Sequence, residues 1–359
     1  MQINTEVHAR GPTRNSGLPP REGDPWIGNP VIRKLMKRAD LPEPYAVTLA
    51  KYIQLSALIE WGGIGYEGGS LEETARELQA LPIHESLGVN LHILGALLQS
   101  SEDLLIRMLQ GPDNKEILLA GIDGLMDTDR IEMHVITPLV RAAARTEPPA
   151  TLPVRIQNGE LYAWLQEHGL AAISMHSIQT LSDAVACILQ GDLLILVDGF
   201  AHGLFASLRG WAERAISEST TEPAMRAPKE AFNESIRTMT ALVRRRMRSP
   251  HLRIERYLIG VESPTAVDLL FVQGLTSPDL VHEARARLQR IQVDRLKTAG
   301  MLEELLEDQP SAFFPQFLTT ERPDRVASYL MEGKIAFLID GEQNAKLAPV
   351  SFVHFLSAP

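Results

Sequence analysis

From residue 83 onward the chain alternates two hydrophobic rhythms. Stretches with apolar residues three and four apart give way to short uninterrupted apolar runs, which predicts helices alternating with strands covered on both faces. Three runs finish alike: 117–122 leads into Asp123-Gly124, 193–197 into Asp198-Gly199, and 335–339 into Asp340-Gly341. Each Asp-Gly reads first as a turn, because glycine takes positive φ without a clash and Asp bonds nearby amides. The second and third copies match further. Gly191 to Gly199 aligns without gaps on Gly333 to Gly341, and the preceding helices pair Ala184 with Val326, Val185 with Ala327, Ile188 with Leu330 and Leu189 with Met331. The repetition predicts two similar mixed-sheet α/β subdomains, 81–210 and 211–359.

Residues 1–80 follow other rules. Gly, Pro and charge interrupt every period over 9–30, which reads as an arm that orders against a partner. A helix is predicted at 43–61, with Ala46, Leu49, Ala50, Ile53 and Ala57 on one stripe and Gly62-Gly63 as its stop. Another follows at 71–80, with Ser70 as N-cap and Glu73 three residues on. Together these make a helical N-terminal appendage. In the second half, helices are predicted at Pro228–Arg248, Ser277–Ile291, 293–307 and Arg322–Glu332, with strands at 252–259 and 267–273.

Composition narrows the function classes. The 359 residues are 45% apolar and 22% charged, enough for a sizeable core. Thirty-five basic against forty-five acidic residues give a net charge of −10, which opposes non-specific binding to nucleic acid. The single cysteine, Cys187, excludes an intramolecular disulfide and a Cys-rich metal site, and its apolar neighbours make core packing its default role. No apolar run approaches the roughly 20 residues that span a bilayer, and the first residues lack a basic segment followed by an apolar one.

The candidate chemistry is sparse. Ile122 to Thr128 resembles the opening motif of the haloacid-dehalogenase phosphatases, but setting Asp123 as its second acid puts Gly121 where a nucleophilic carboxylate must stand. Asp127 and Asp129 read as helix caps. No phosphate-binding loop, nucleophile elbow or zinc-protease helix is present, and the histidines lack metal-ligand spacing, so no cofactor is expected. Glu303, Glu304, Glu307 and Asp308 read as a solvated face. Arg244-Arg245-Arg246, with Arg248, complements a helix C-terminus or meets a phosphate, a lipid headgroup or an acidic partner. Two readings from other classes stay open: an enzyme using the strand-end carboxylates Asp123, Asp198 and Asp340, and a small-molecule-binding α/β module.

Many short motifs occur in a fixed order. Trp211 to Arg214, Glu222-Pro223, Arg226 to Glu234 and Leu242 to Arg246 are followed by Arg287-Leu288, Ile291, Asp294, Glu307-Asp308, Phe314-Pro315-Gln316, Thr320 to Asp324, Glu332-Gly333-Lys334, Asp340-Gly341 and Pro349 to Phe352. Upstream, Asn90, Asp103 to Arg107 and Asp123 to Leu125 fit as well. In this order the chain resembles the GerA family of spore germination receptors, specifically the soluble N-terminal domain of the A subunit, over 83–359; the related SpoVAF type fits the same pattern. Ala227, Ala231 and Glu342-Gln343 depart from it, standing where that family favours Gly, Gly and a Pro.

The resemblance implies a non-catalytic part in spore germination signalling at the spore inner membrane. It implies a transporter-like B subunit and a C lipoprotein as partners, assembly with further copies in the full-length protein, and a small nutrient as the ligand. It favours the cytoplasmic, core side for this domain, with several membrane helices beyond Pro359, so the 359 residues are expected to be the soluble part of a longer protein. Arg226, Glu230, Arg244, Arg245, Glu321, Arg322 and Asp324 are the candidate contact surface; the alternative is that they brace the subdomain junction as internal ion pairs.

Overall fold

The computed structural model describes residues 42–60, 71–98, 101–111, 115–143, 175–210, 230–307 and 316–350. The 9–30 arm, the Gly62-Gly63 stop, Ser70, Asp308 and Arg226 lie outside them.

Two five-stranded sheets repeat one plan. The first unit opens on helix α3 (Leu87–Leu98) and the hairpin β1 (Leu104–Gln110) and β2 (Glu116–Ile122). Helix α4 (Thr128–Ile131) continues through a π-helical turn (Glu132–Ile136) into α5 (Thr137–Ala143); then come β3 (Met175–Ile178), α6 (Leu181–Gln190), β4 (Leu193–Val197) and β5 (Gly203–Ala206). The second unit opens on α7 (Ile236–Arg246), β6 (Leu252–Ile259) and β7 (Thr265–Val272). It proceeds through α8 (Pro278–Arg290), α9 (Ala299–Leu306), β8 (Leu318–Thr320), α10 (Pro323–Met331), β9 (Ile335–Ile339) and β10 (Ala345–Ala348). The strand orders are β1-β2-β4-β5-β3 and β6-β7-β9-β10-β8, the same order shifted by five.

The two-unit α/β plan is as the sequence predicts, and the described ladders within it are antiparallel rather than mixed. Short connections explain four of these pairings. β1–β2, β4–β5, β6–β7 and β9–β10 are joined by a few residues, and such links make hairpins; a parallel neighbour needs a long crossover. Their runs still read as continuously apolar because helices cover both faces of each sheet. Leu118, Ala120 and Leu194 face the α3–α6 side, while Ile117, Leu119 and Ile195 face the side of α4 and α5. In the second sheet Leu270 and Leu338 face α7 and α10, and Leu269 and Phe337 face α8 and α9.

The turns repeat with the strands. Gly191 and Gly333 end their helices at φ 86° and 79°, and Gly199 and Gly341 follow their strands at 87° and 85°. A Cβ at Gly191 would come within 3.1 Å of the Leu125 carbonyl oxygen, and one at Gly333 within 2.9 Å of the Leu275 carbonyl oxygen. Both positions therefore need glycine twice over, for backbone angle and for space.

Two predicted helices are shorter than expected. α7 begins at Ile236, not Pro228, because Ser235 caps it and Phe232 donates its amide to the Glu321 carbonyl instead of to a helical turn. α9 begins at Ala299, not 293, because the carbonyls of Val293 and Asp294 accept amides from Val261, Glu262 and Ser263 in the β6–β7 turn.

The first residues described form α1 (Glu43–Glu60) and α2 (Leu71–Gln79). The buried stripe of α1 runs through Tyr45, Leu49, Tyr52 and Leu55; Ile53, placed on the stripe by its sequence, is 52% exposed. These residues join Leu71, Ala75 and Leu78 of α2 in one cluster with α3 and α6. α3 is buried on nearly every side, which is why its apolar residues show no helical stripe.

Candidate functional site

The strand-end carboxylates serve as helix caps in two of three cases. Asp198 Oδ1 accepts the amide of Leu87 at 3.2 Å, and Asp340 Oδ1 accepts that of Ile236 at 3.1 Å. The neighbouring glycines donate to matching carbonyls, Gly199 to Glu85 and Gly341 to Glu234, each at 2.8 Å. Each acid thus satisfies a first-turn amide of the helix that opens its own unit. Asp123 behaves differently. Its amide donates to the Asp103 carbonyl at 2.7 Å, and its carboxylate accepts the Gly124 amide at 3.0 Å and the Arg237 Nε at 2.7 Å. Arg237 belongs to α7, so this turn grips the other subdomain.

A buried polar seam runs beside it. Arg244, on α7, is 2% exposed and donates Nε to Asp103 Oδ2 at 2.6 Å and Nη2 to Asp103 Oδ1 at 3.0 Å. Its remaining donors reach Ser101 Oγ and the carbonyls of Ser249 and Leu252. A charge this deep is tolerable only with a partner and a filled donor set, and Arg244 has both. Arg253, on β6, is also buried; its guanidinium donates to the carbonyls of Pro250, Leu97 and Leu98 and to Gln273 Oε1. Burial pulls the Arg253 pKa down to about 10, against support from Tyr52 and Asp103.

Arg256 completes the seam. It holds Asp268, on β7 and fully buried, through two bonds of 2.8 Å, and its third nitrogen stands 3.6 Å from Glu102 of the first subdomain. Burial raises the Asp268 carboxyl above its usual range although Arg256 opposes the shift, and burial likewise raises Glu102. Bonding to Asp268 raises Arg256. The backbone joins in: the Glu102 amide donates to the Ile254 carbonyl at 3.0 Å.

The sequence-derived contact residues divide between this seam and buried or half-buried positions outside it. Arg244 is in the seam. Glu230 pairs with Arg245 at 3.3 Å and with Arg246, at the end of α7. Glu321 is buried, with its carbonyl taken by Phe232. Arg322 pairs with Asp324 at 2.6 Å; burial works against the Asp324 charge, but Arg322 outweighs it and holds the carboxyl below its usual range. Arg245 and Arg237 also border a cavity of about 170 Å³, with Gly124, Asp127, Thr128 and Thr238 on its wall.

Sequence reasoning did not single out Asp103, Arg253, Arg256 or Asp268 as a set. The available signal was Asp268 itself, a lone charge inside Ala266 to Val272. Cys187 is buried and Asp127 caps α4, as their neighbours indicate. Among the described residues no group of three or more His, Cys, Asp or Glu is placed to hold a metal, and no helix is long and apolar enough to cross a membrane.

Known proteins share this architecture. The chain is 30% identical over 280 residues to spore germination protein B1 of Bacillus subtilis, covering 78% of this chain and 56% of that protein. It is 31% identical over 265 residues to spore germination protein GerLA of Bacillus cereus, covering 71% and 50%. Stage V sporulation protein AF of B. subtilis is 30% identical over 256 residues, covering 71% and 50%. The chain thus spans about half the length of these relatives. Its fold is similar to the crystal structure of the N-terminal domain of the A subunit of the Bacillus megaterium spore germinant receptor GerK3, with a TM-score of 0.57 and 26% identity over 76% of this chain and 98% of that domain. The sequence profile described as Bacillus/Clostridium GerA spore germination protein matches residues 92–359, which takes in both sheets, the seam and all ten candidate residues, and by that match the chain belongs to the GerA family.

Proposed function

We propose that this chain is the non-catalytic signalling part of a germinant receptor A subunit, and that it passes on a nutrient signal by changing the relation between its two subdomains. The observation that carries this reading is the use of its acids. Asp198 and Asp340 cap helices, while Asp103 and Asp123 are engaged by arginines of the other subdomain. Charges that meet across a junction bias a two-state arrangement more readily than they perform chemistry. In the full-length protein the partners would be the B and C receptor subunits and further copies of this chain, at the spore inner membrane.

The test uses spores in which the full-length protein carries Asp123→Asn or Arg237→Ala. Nutrient-triggered germination, followed by loss of optical density, should slow several-fold with protein levels unchanged; an unaltered response would remove the junction from the signal path. Metal-dependent phosphatase turnover by the chain, abolished by Asp123→Asn, would overturn the non-catalytic reading.

The cavity beside Arg237 and Arg245 favours a second reading, direct binding of a small ligand. Calorimetric titration with amino acids and sugars separates the two. Saturable heat that Arg237→Ala removes would support direct binding, and silence across the panel would favour partner contact.

A further inference from the structure

Helices α1 and α2 stand outside the residues matched by the family, which begin at 92. They touch both subdomains, and they do so unequally. Toward the first, the attachment is apolar and continuous. Tyr45, Leu49, Tyr52, Leu55, Leu71, Ala75 and Leu78 pack in one cluster with α3 and α6, and Tyr45 Oη adds a bond of 3.0 Å to the Pro82 carbonyl.

Toward the second subdomain the attachment narrows to a polar contact around one turn. Gln273 follows β7 at the position that Asp123 holds after β2: the amide of each donates to the residue preceding the first strand of its own hairpin, Asp103 for Asp123 and His251 for Gln273. Where Asp123 reaches α7, Gln273 reaches α1. Its Nε2 donates to Ser56 Oγ at 2.6 Å, and its Oε1 accepts from Arg253, whose guanidinium extends to the carbonyls that end α3. Gly274 beside it leaves only ordinary contact distance, 3.6 Å, between an added Cβ and Leu71. The Tyr45 and Ser56 ends of this bridge are about 16 Å apart along α1.

The polar end sits in a buried, charged setting. Tyr52 Oη lies beside the Arg253 guanidinium, and His251 Nδ1 is buried nearby with no hydrogen-bond partner among the described residues. Desolvated polar groups oppose the closed arrangement, whereas the apolar end carries no such penalty.

We propose that α1 and α2 form a clasp that stays fixed to the first subdomain and releases the second at Ser56–Gln273, so that this N-terminal pair adds to the buried seam a second, separately releasable tie between the two sheets. The helices move with the first sheet, and the turn at Gln273–Thr276 is the part that lets go. This is a property of the fold and does not depend on what signal the junction carries.

Hydrogen exchange on the 359-residue chain tests it, with Ser56→Ala as the variant. Ser56→Ala removes the acceptor and leaves the second subdomain's own side chains intact. It should speed exchange at Tyr52–Ser56 and Gln273–Thr276 about tenfold while α6 and α8 change less than about twofold. Equal acceleration across α6 and α8, or no change with Ser56→Ala, would each overturn the clasp.

Discussion

The hairpins that open the two sheets share a backbone and differ in chemistry. Leu104 faces Ile122 at the end of one and Leu252 faces Val272 at the end of the other, so the registers correspond residue for residue. Four positions along, Met108 faces Leu118 in the first hairpin, while Arg256 faces Asp268 in the second. The ladder does not need the charge, since the first copy forms without it. What the charged pair adds is a neighbour: Arg256 also approaches Glu102 across the junction, 3.6 Å away. Repeated backbone makes the sheets, and the residues that differ between the repeats make the contact between them.

The opening helices show the same division. α3 is apolar almost throughout because α1, α2 and α6 cover it. α7, its counterpart, carries Arg237, Arg244, Arg245 and Arg246, and two of these reach acids of the first subdomain. Substitutions that swap one copy's residue into the other can break this contrast.

The largest effect is expected at Arg244. Arg244→Met leaves Asp103 buried with its charge unmatched, and should lower unfolding stability in a denaturant titration by about 3–5 kcal/mol. Adding Asp103→Leu should restore most of the loss. A single-variant cost below about 1 kcal/mol would show that the pair does not hold the junction. Arg256→Met comes next, at roughly 2–3 kcal/mol, less because the Arg256 side chain is 32% exposed. The double change Arg256→Met with Asp268→Leu gives the second hairpin the first one's pair. It should recover to within about 1 kcal/mol of the parent, in keeping with the general behaviour of buried ion pairs replaced by apolar groups. A double variant as unstable as the single one would mean that the charges serve the hairpin itself.

The smallest effects probe sameness. Asp198→Ala and Asp340→Ala remove equivalent caps and should each lower stability by about 1 kcal/mol. Thermal unfolding would read this as two similar decreases in Tm, and a loss confined to one variant would mean that the two turns are not copies of one device.

Much of the repeated part was legible from the chain alone. Gly191 to Gly199 and Gly333 to Gly341 show themselves because a buried strand and its flanking glycines are local requirements. The seam was hidden for the opposite reason. Arg244 meets Asp103 across 141 residues and Arg237 meets Asp123 across 114, and no local period reports a partner that distant. Phe232 misled in a related way, since its spacing continues the α7 stripe while its amide is claimed by Glu321 on another strand connection. Strand direction was hidden too, because strands covered on both faces look equally apolar whichever way their neighbours run.

The caps carry a consequence for how such a chain comes into being. In each unit the acid after the fourth strand closes the first turn of the opening helix, across 111 residues in one case and 104 in the other. During synthesis the opening helix emerges first and its cap close to last. Neither opening helix gains this cap until nearly all of its unit has left the ribosome, so each unit should mature as a whole, the first while the second is still being made. The partner acids of the seam, Asp103 and Asp123, would then stand in a finished surface as Arg237 and Arg244 arrive. On this order of events, the second unit assembles against the first as its template.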